Sequence, residues 1–209
     1  MRATALALAD EIRALAQTGL HFCEEGFDRE RYERLLQVAV RLAAAASGCE
    51  EAVVRGIFER QGGGYVTPKI DVRMAVFRRG EVLLVRERSD GCWALPGGYA
   101  DVGDSPSEAA IRETREEAGV DVRAERLAGV WDRRLHPEAG AFPFQIYKLV
   151  FTGSLLDPDA EPHGGHETSD ARFFALDGLP ELSLGRTLPL HIEKARSVAS
   201  HPAEPSHFD

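Results

Sequence analysis

Apolar positions recur at helical intervals over the first part of the chain and alternate over most of the rest, so two kinds of structure are expected in succession. In ALALADEIRALAQTG, Leu8, Ile12 and Leu15 share a helical face, and Gly19 is the expected stop. DRERYERLLQVAVRLAAAASG opens at Asp28, a suitable N-cap, and carries the stripe Tyr32, Leu35, Leu36, Ala39 and Leu42 as far as Gly48. EEAVVRGIFER predicts a third, short helix, after which Gly62 to Gly64 break the period. An all-helical segment over 1–64 is therefore expected ahead of a second domain over 65–200.

In that second domain KIDVRMAVFRRGEVLLVRER predicts two strands, 71–77 and 81–86, about a turn at Arg79-Gly80. RLAGVWDRR, FQIYKLVFTGSL and ARFFAL read as further strands. One helix, SPSEAAIRETREEAG, is punctuated at both ends. Ser105 and Glu108 form a capping box, Pro106 takes the first helical position and Gly119 closes it. A last helix is expected over 188–199, and 201–209 reads as a flexible tail.

A length of 209 residues leaves room for one α/β domain with a small appendage. The net charge of -9 argues against holding a nucleic acid by bulk electrostatics, so no stable nucleic-acid binding is expected. Cys23, Cys49 and Cys92 are odd in number and form no CxxC pair, which points to free thiols in a reducing cytoplasm. No membrane span is expected. Asp10, Glu11 and Arg13 interrupt the apolar start MRATALALADEIRALA, which is read as helix and not as a signal peptide.

On a helical wheel Ala110, Ile111, Thr114 and Ala118 of the capped helix can face a core. Glu113, Glu116 and Glu117 crowd the opposite side, with Arg112 at their edge. Like charges at that spacing cost an isolated helix roughly 0.2–0.5 kcal/mol per pair, and one arginine cannot neutralise three carboxylates. A solvated acidic face would explain such a run taken alone. Immediately upstream, however, lies the glycine-rich loop PGGYADVGD, which ends in another carboxylate, Asp104. Converging carboxylates suit a hard divalent cation such as Mg²⁺, and such a cation suits phosphoryl or diphosphate hydrolysis.

The string from Gly98 to Val120 resembles the signature box of the Nudix hydrolases: Gly98, then Asp104, then Arg112-Glu113-Thr114-Arg115-Glu116-Glu117-Ala118-Gly119-Val120. Two positions depart from the pattern. Asp104 stands where the box has Glu and is one methylene shorter in reach, and Thr114 replaces an apolar residue but can still turn its methyl to the core. The resemblance implies an α/β fold, an α+β sandwich with a mixed sheet between helices, behind the N-terminal helical segment. It implies Glu113 and Glu117 as the main metal ligands, Glu116 sharing a metal, and the Gly97 carbonyl completing the coordination of Mg²⁺ or Mn²⁺. Arg112 would orient Glu113, with Gly98 and Asp104 in auxiliary places. The water-activating base would be a box glutamate or a carboxylate of a later loop, for which Glu167 in HGGHETSD is the candidate.

The helical start, TPKIDVR, WALPGGYADVGDSPSEAA and HETSDARFFALDGLPELS extend the resemblance over most of the chain. They point to a subgroup that hydrolyses nucleoside diphosphates linked to another group, with CDP-choline and ADP-ribose diphosphatases as the nearest comparisons. Arg73, Arg86, Arg88 and Arg133 are the candidate partners of the diphosphate, and Tyr147 or Trp131 of the base. The N-terminal helices are too apolar to stand alone and must pack on the catalytic domain, on a second copy, or on both; a homodimer is expected, and the resemblance points the same way. Two rivals remain at this point: a nucleoside triphosphate pyrophosphohydrolase, and a non-catalytic nucleotide sensor, against which the intact Arg-Glu-x-x-Glu-Glu core speaks.

Overall fold

The computed structural model describes residues 5–24, 26–60, 62, 64–140 and 142–209; Met1 to Thr4 of the apolar start and Gly63 of the expected glycine break lie outside them. The chain divides into two compact units, Met1–Lys69 with Ala141–Gln145, and Ile70–Gly140 with Ile146–Asp209. The sequence-read border at 64/65 thus falls inside the first unit, and a short segment from far downstream joins that unit.

The first unit holds α1 (Ala5–Phe22), α2 (Phe27–Ser47) and α3 (Glu51–Glu59). Helix α1 does not stop at Gly19. A Cβ there would lie 2.3 Å from the Tyr32 ring, so the glycine lets α1 and α2 come close instead of ending α1. Asp28 does not cap α2 either. Gly26 takes the N-cap, and Asp28 sits in the first turn, where its charge favours the helix end. Gly48 does close α2, in the left-handed conformation at φ 73°, with its N–H donating to the Ala44 carbonyl.

Small residues pack this unit: Ala9, Ala39, Val40, Ala43 and Ala44 meet Val54 and Phe58. Arg13 is buried among them, its guanidinium bonded to Asp10 and Gln17 and lying over the rings of Phe58 and Phe144. Of Leu8, Ile12 and Leu15, which share a helical face in the sequence, Ile12 packs against this core. With Ala9, Arg13 and Ala16 turned inward, Leu8, Leu15 and Phe22 stand 44%, 63% and 68% exposed, seven residues apart on one side of α1.

The second unit is the mixed sheet expected from sequence, built from β1 (Lys69–Arg78), β2 (Glu81–Glu87), β3 (Trp93–Ala94), β4 (Val122–Asp132), β5 (Ile146–Leu155), β6 (Thr168–Ala175) and β7 (His207–Phe208), with α4 (Pro106–Ala118) and α5 (Pro189–Ser200). The strand order is β3-β2-β1-β5-β4-β7, and β6 pairs with β2. Alternation divides the strands between two cores. Val72, Met74, Val76, Leu83 and Val85 pack with Ala109, Ala110 and Ala118 of α4. Ala75, Val82, Leu84, Trp131 and Val150 pack with Ile192, Ala195 and Val198 of α5.

Residues 201–209 are paired where a loose tail was expected. Strand β7 runs parallel to β4, and the Asp209 carboxylate accepts from the Asp132 N–H at 2.8 Å and meets His136 and His207, each at 3.1 Å. No helix among the described residues is long and apolar enough to cross a membrane.

The α5 core also buries a histidine. His191 accepts the Leu188 N–H on Nδ1 at 3.0 Å and lies edge-on to Trp131. Burial first, and then the charge of Lys148, lower its pKa from 6.5 to about 2. The folded state therefore keeps it neutral while the unfolded chain takes up a proton below about pH 6.5. Stability present above that pH is lost as the pH falls toward 2, by up to about 1.4 kcal/mol per pH unit. In urea titrations, His191→Asn should lose less stability than the wild type between pH 6.5 and 5. Parallel losses in the two proteins would rule out a neutral His191.

Candidate active site

Helix α4 is held at both ends by its own sequence. Ser105 Oγ accepts the Glu108 N–H, the Glu108 carboxylate accepts the Ser105 N–H, and Gly119 ends the helix at φ 66°. Ala109, Ala110, Thr114 and Ala118 face the core. Thr114 settles its hydroxyl on the Ala110 carbonyl at 2.7 Å, which is why it is tolerated at an apolar position.

The three glutamates have unequal surroundings. Glu116 is exposed, Glu113 is half-buried and Glu117 is buried. Arg112 links the acidic groups of the loop and the helix. Its Nε donates to Asp104 at 3.1 Å, Nη1 to Glu113 at 2.9 Å and to Glu116 at 3.2 Å, and Nη2 to Asp101 at 3.3 Å. The Asp104 bond, followed by the neighbouring glutamates, holds the guanidinium firmly protonated. The shorter Asp104 thus reaches Arg112, eight residues on.

Glu117 is tied to the glycine loop. The Gly97 N–H donates to its Oε2 at 2.8 Å. Gly97 has φ 144°, and a Cβ there would lie 2.0 Å from the Val72 carbonyl oxygen, so no other residue fits. A Cβ on Gly98 would come within 3.1 Å of Glu113 Oε2, so this glycine keeps the space before Glu113 open. Burial raises the Glu117 pKa from 4.5 to about 7; Arg73 and the Gly97 N–H oppose the rise, and Glu87 and Glu113 add to it. Burial likewise raises Glu113, against the pull of Arg112.

Glu167 is brought to this helix by a loop with little slack. The His163 N–H donates to the Ala118 carbonyl at 3.0 Å, and Thr168 Oγ1 donates to the Glu117 carbonyl at 2.6 Å and accepts from the Gly165 N–H at 2.8 Å. A Cβ on Gly165 would lie 1.8 Å from the Glu116 carbonyl oxygen. The side chain of Glu167 is exposed, and its carbonyl accepts the Arg88 N–H at 3.2 Å.

The candidate arginines separate. Arg86, on β2, and Arg88, just after it, are exposed side chains bonded to the carbonyls of Gly91 and His166 respectively. Arg133 is half-buried and donates to the Ala139 carbonyl at 2.6 Å. Arg73, expected on the substrate, is instead 4% exposed and spent inside the protein, on both Asp71 oxygens at 2.9 and 3.0 Å and on the Leu95 carbonyl at 3.1 Å. Tyr147 is on the exposed face of β5, whereas Trp131 is core, stacked on His207.

Three groups near the site were missed. Glu87 is buried, its pKa raised by burial, and it pairs with Arg186 at 3.1 Å. Arg186 also reaches Asp90, Ser183 and Ser89. Lys148 is 3% exposed and bonded to Asp71 at 2.9 Å. Lys148 was legible, since alternation puts it on the same face of its strand as Ile146 and Val150. Glu87 likewise alternates with the buried Leu83 and Val85, but Arg186 sits in a loop without period.

Among the described residues, no three acidic, imidazole or thiol groups stand close enough to enclose a metal ion unaided. Arg112 draws Glu113 and Glu116 to itself. The donors nevertheless fit a hard divalent cation: they are carboxylate and carbonyl oxygens, and buried Glu117 lies near two further carboxylates that disfavour its charge.

Comparison with known proteins places the chain among relatives of known family. Residues 67–194 match the family model described as NUDIX domain, and residues 4–58 match one described as UDP-X-like, N-terminal oligomerisation domain. A Bacillus subtilis protein named "Putative ADP-ribose pyrophosphatase YjhB" is 39% identical over 96% of this chain and 95% of its own length. A solved UDP-X diphosphatase is 32% identical, with TM-score 0.60 over 100% of this chain and 99% of its own. An ADP-ribose pyrophosphatase structure from Streptococcus suis is 32% identical, with TM-score 0.59 over 68% of this chain and all of its own.

The burial of Glu117 has a measurable cost. Its raised pKa means that stability present below pH 4.5 is lost as the pH rises through about 7. In EDTA at pH 8, Glu117→Gln should be more stable than the wild type by up to about 3 kcal/mol, with the gap closing at pH 4.5. Denaturation midpoints that never diverge would refute the burial argument.

Proposed function

The chain belongs to the Nudix hydrolase family, and from that premise we propose that it hydrolyses, with Mg²⁺ or Mn²⁺, the diphosphate of a nucleoside diphosphate linked to another group. ADP-ribose is the first candidate substrate and CDP-choline the second. One observation carries this reading: buried Glu117, tied to Gly97, stands on the same helix as half-buried Glu113, with the Glu167 loop stitched to the helix end. The full-length likeness to proteins named for ADP-ribose and UDP-X substrates supports the linked-diphosphate class.

Glu113, Glu117 and the Gly97 carbonyl would hold the metal, with Glu116 sharing it. The cation supplies Lewis-acid polarisation of a phosphate oxygen and lowers the pKa of a bound water. Arg112 holds Glu113 from one side and Gly98 leaves its other side clear. Glu167 accepts the proton of the attacking water, whose oxygen bonds to one phosphorus as the bridging P–O bond breaks. A nucleoside monophosphate and a phosphorylated leaving group result. Arg86, Arg88 and Arg133 are the proposed diphosphate partners, and Tyr147 a stacking surface for the base. The free thiols of Cys23, Cys49 and Cys92 fit a reducing cytoplasm.

The partner we propose is a second copy, docked on the α1 face of Leu8, Leu15 and Phe22. Three large apolar side chains at seven-residue spacing make the seam of a helix pair. The description of the matched N-terminal family as an oligomerisation domain supports an oligomer.

Turnover of ADP-ribose, CDP-choline, a UDP-sugar and a nucleoside triphosphate, with and without metal, tests the activity. Metal-dependent release of a nucleoside monophosphate from a linked diphosphate is expected. Pyrophosphate released from the triphosphate alone would overturn the substrate class. Glu113→Gln and Glu117→Gln should fold and lose nearly all turnover. In sedimentation, a Leu15→Glu/Phe22→Glu double variant should run as a monomer where the wild type runs as a dimer; a dimeric variant would place the interface elsewhere.

A further inference from the structure

One charged cluster remains unused by the reaction. Asp71, Arg73 and Lys148 are 7%, 4% and 3% exposed, and they set two cations against one anion inside the sheet domain. Buried ion pairs can often be replaced by apolar residues at little cost to stability, so stability alone is a weak reason for this one.

Its geometry suggests another reason. The Arg73 fork grips Asp71 through Nε and Nη2, leaving Nη1 to donate to the Leu95 carbonyl at 3.1 Å. On either side of that bond, β1 takes hold of the same loop by its backbone. The Val72 N–H donates to the Gly98 carbonyl at 2.8 Å, and the Met74 N–H to the Pro96 carbonyl at 2.9 Å. Gly97, in between, lies so close to Val72 that it cannot carry a side chain. Lys148 donates to Asp71 Oδ1 at 2.9 Å, the oxygen that also accepts from Arg73 Nε, and so fixes the base from which Arg73 reaches. The positive charge of Arg73 is also felt by Glu117 and Glu87.

We propose that Arg73 is a positioning residue: braced by Asp71 and Lys148, it seats the Leu95–Gly98 loop on β1 so that the Gly97 amide meets Glu117, and it does not touch substrate. The inference rests on the reading of Glu117 as a metal ligand.

Arg73→Lys keeps the charge but loses the fork that serves Asp71 and Leu95 together. Two readouts are taken: Mn²⁺ binding to the substrate-free protein by electron paramagnetic resonance, and kcat and KM on ADP-ribose. Mn²⁺ affinity is expected to fall by about 10-fold or more, as for other groups that orient metal ligands. kcat should fall with it while KM stays within about 2-fold of wild type, the sign of an interaction that acts on the reaction and not on substrate binding. Arg73→Gln, which leaves Asp71 paired one to one with Lys148, should fold and show the same pattern.

A raised KM with unchanged Mn²⁺ binding and kcat would make Arg73 a substrate ligand and overturn the proposal. Unchanged values in both variants would reduce the triad to a structural role and overturn it equally. If the wild type binds Mn²⁺ but turns over no linked diphosphate, the functional reading fails while the Mn²⁺ arm still tests Arg73.

Discussion

A buried carboxylate is costly unless something nearby compensates for its lost hydration, and the environment of Glu117 is organised around that cost. The Gly97 amide gives it a hydrogen bond, and Arg73 gives it a positive potential from the protein interior. Neither is enough to restore an ordinary pKa, and Glu87 and Glu113 work against them. The residual strain is electrostatic, and a divalent cation is the kind of ligand that relieves it. On the proposed reading, such a site gives up some metal-free stability for binding strength.

The glycines in this arrangement are spatial requirements. Gly97 lets the loop lie on β1, Gly98 keeps the front of Glu113 clear, and Gly165 allows the later loop to touch the α4 backbone. Each marks a place where two backbone segments, or a backbone and a carboxylate, meet more closely than a Cβ allows. The capping box then sets the phase of α4, so that Thr114 and Ala118 point into the core while Glu113 and Glu117 come up beside the loop.

Much of this was legible in the sequence, for reasons that can be named. Local signals were reliable: the Ser105–Glu108 box, Pro106 and Gly119 gave the α4 boundaries, and alternation gave β1 and β2 nearly residue by residue. What failed depended on partners distant in sequence. Gly19 looked like a stop because its contact, Tyr32, belongs to the next helix. The shared face of Leu8, Ile12 and Leu15 did not say which side packs, and alanines, which allow closer helix packing, took the inside. Arg73 reads as a phosphate ligand because nothing local shows that the Leu95 carbonyl, 22 residues on, shares its fork with Asp71. The tail looked loose because nothing in HPAEPSHFD announces that Asp209 will meet His136.

The loop that carries Glu167 has little slack. Bonds from His163 and Thr168, together with the side-chain-free contact of Gly165, fasten it to the last turn of α4. Such a segment cannot swing over a bound molecule without dragging the catalytic helix with it. On the proposed reading, Glu167 therefore stands beside α4 before any substrate arrives. A hinge inserted here would break the bonds from His163 and Thr168 that fasten the loop to α4.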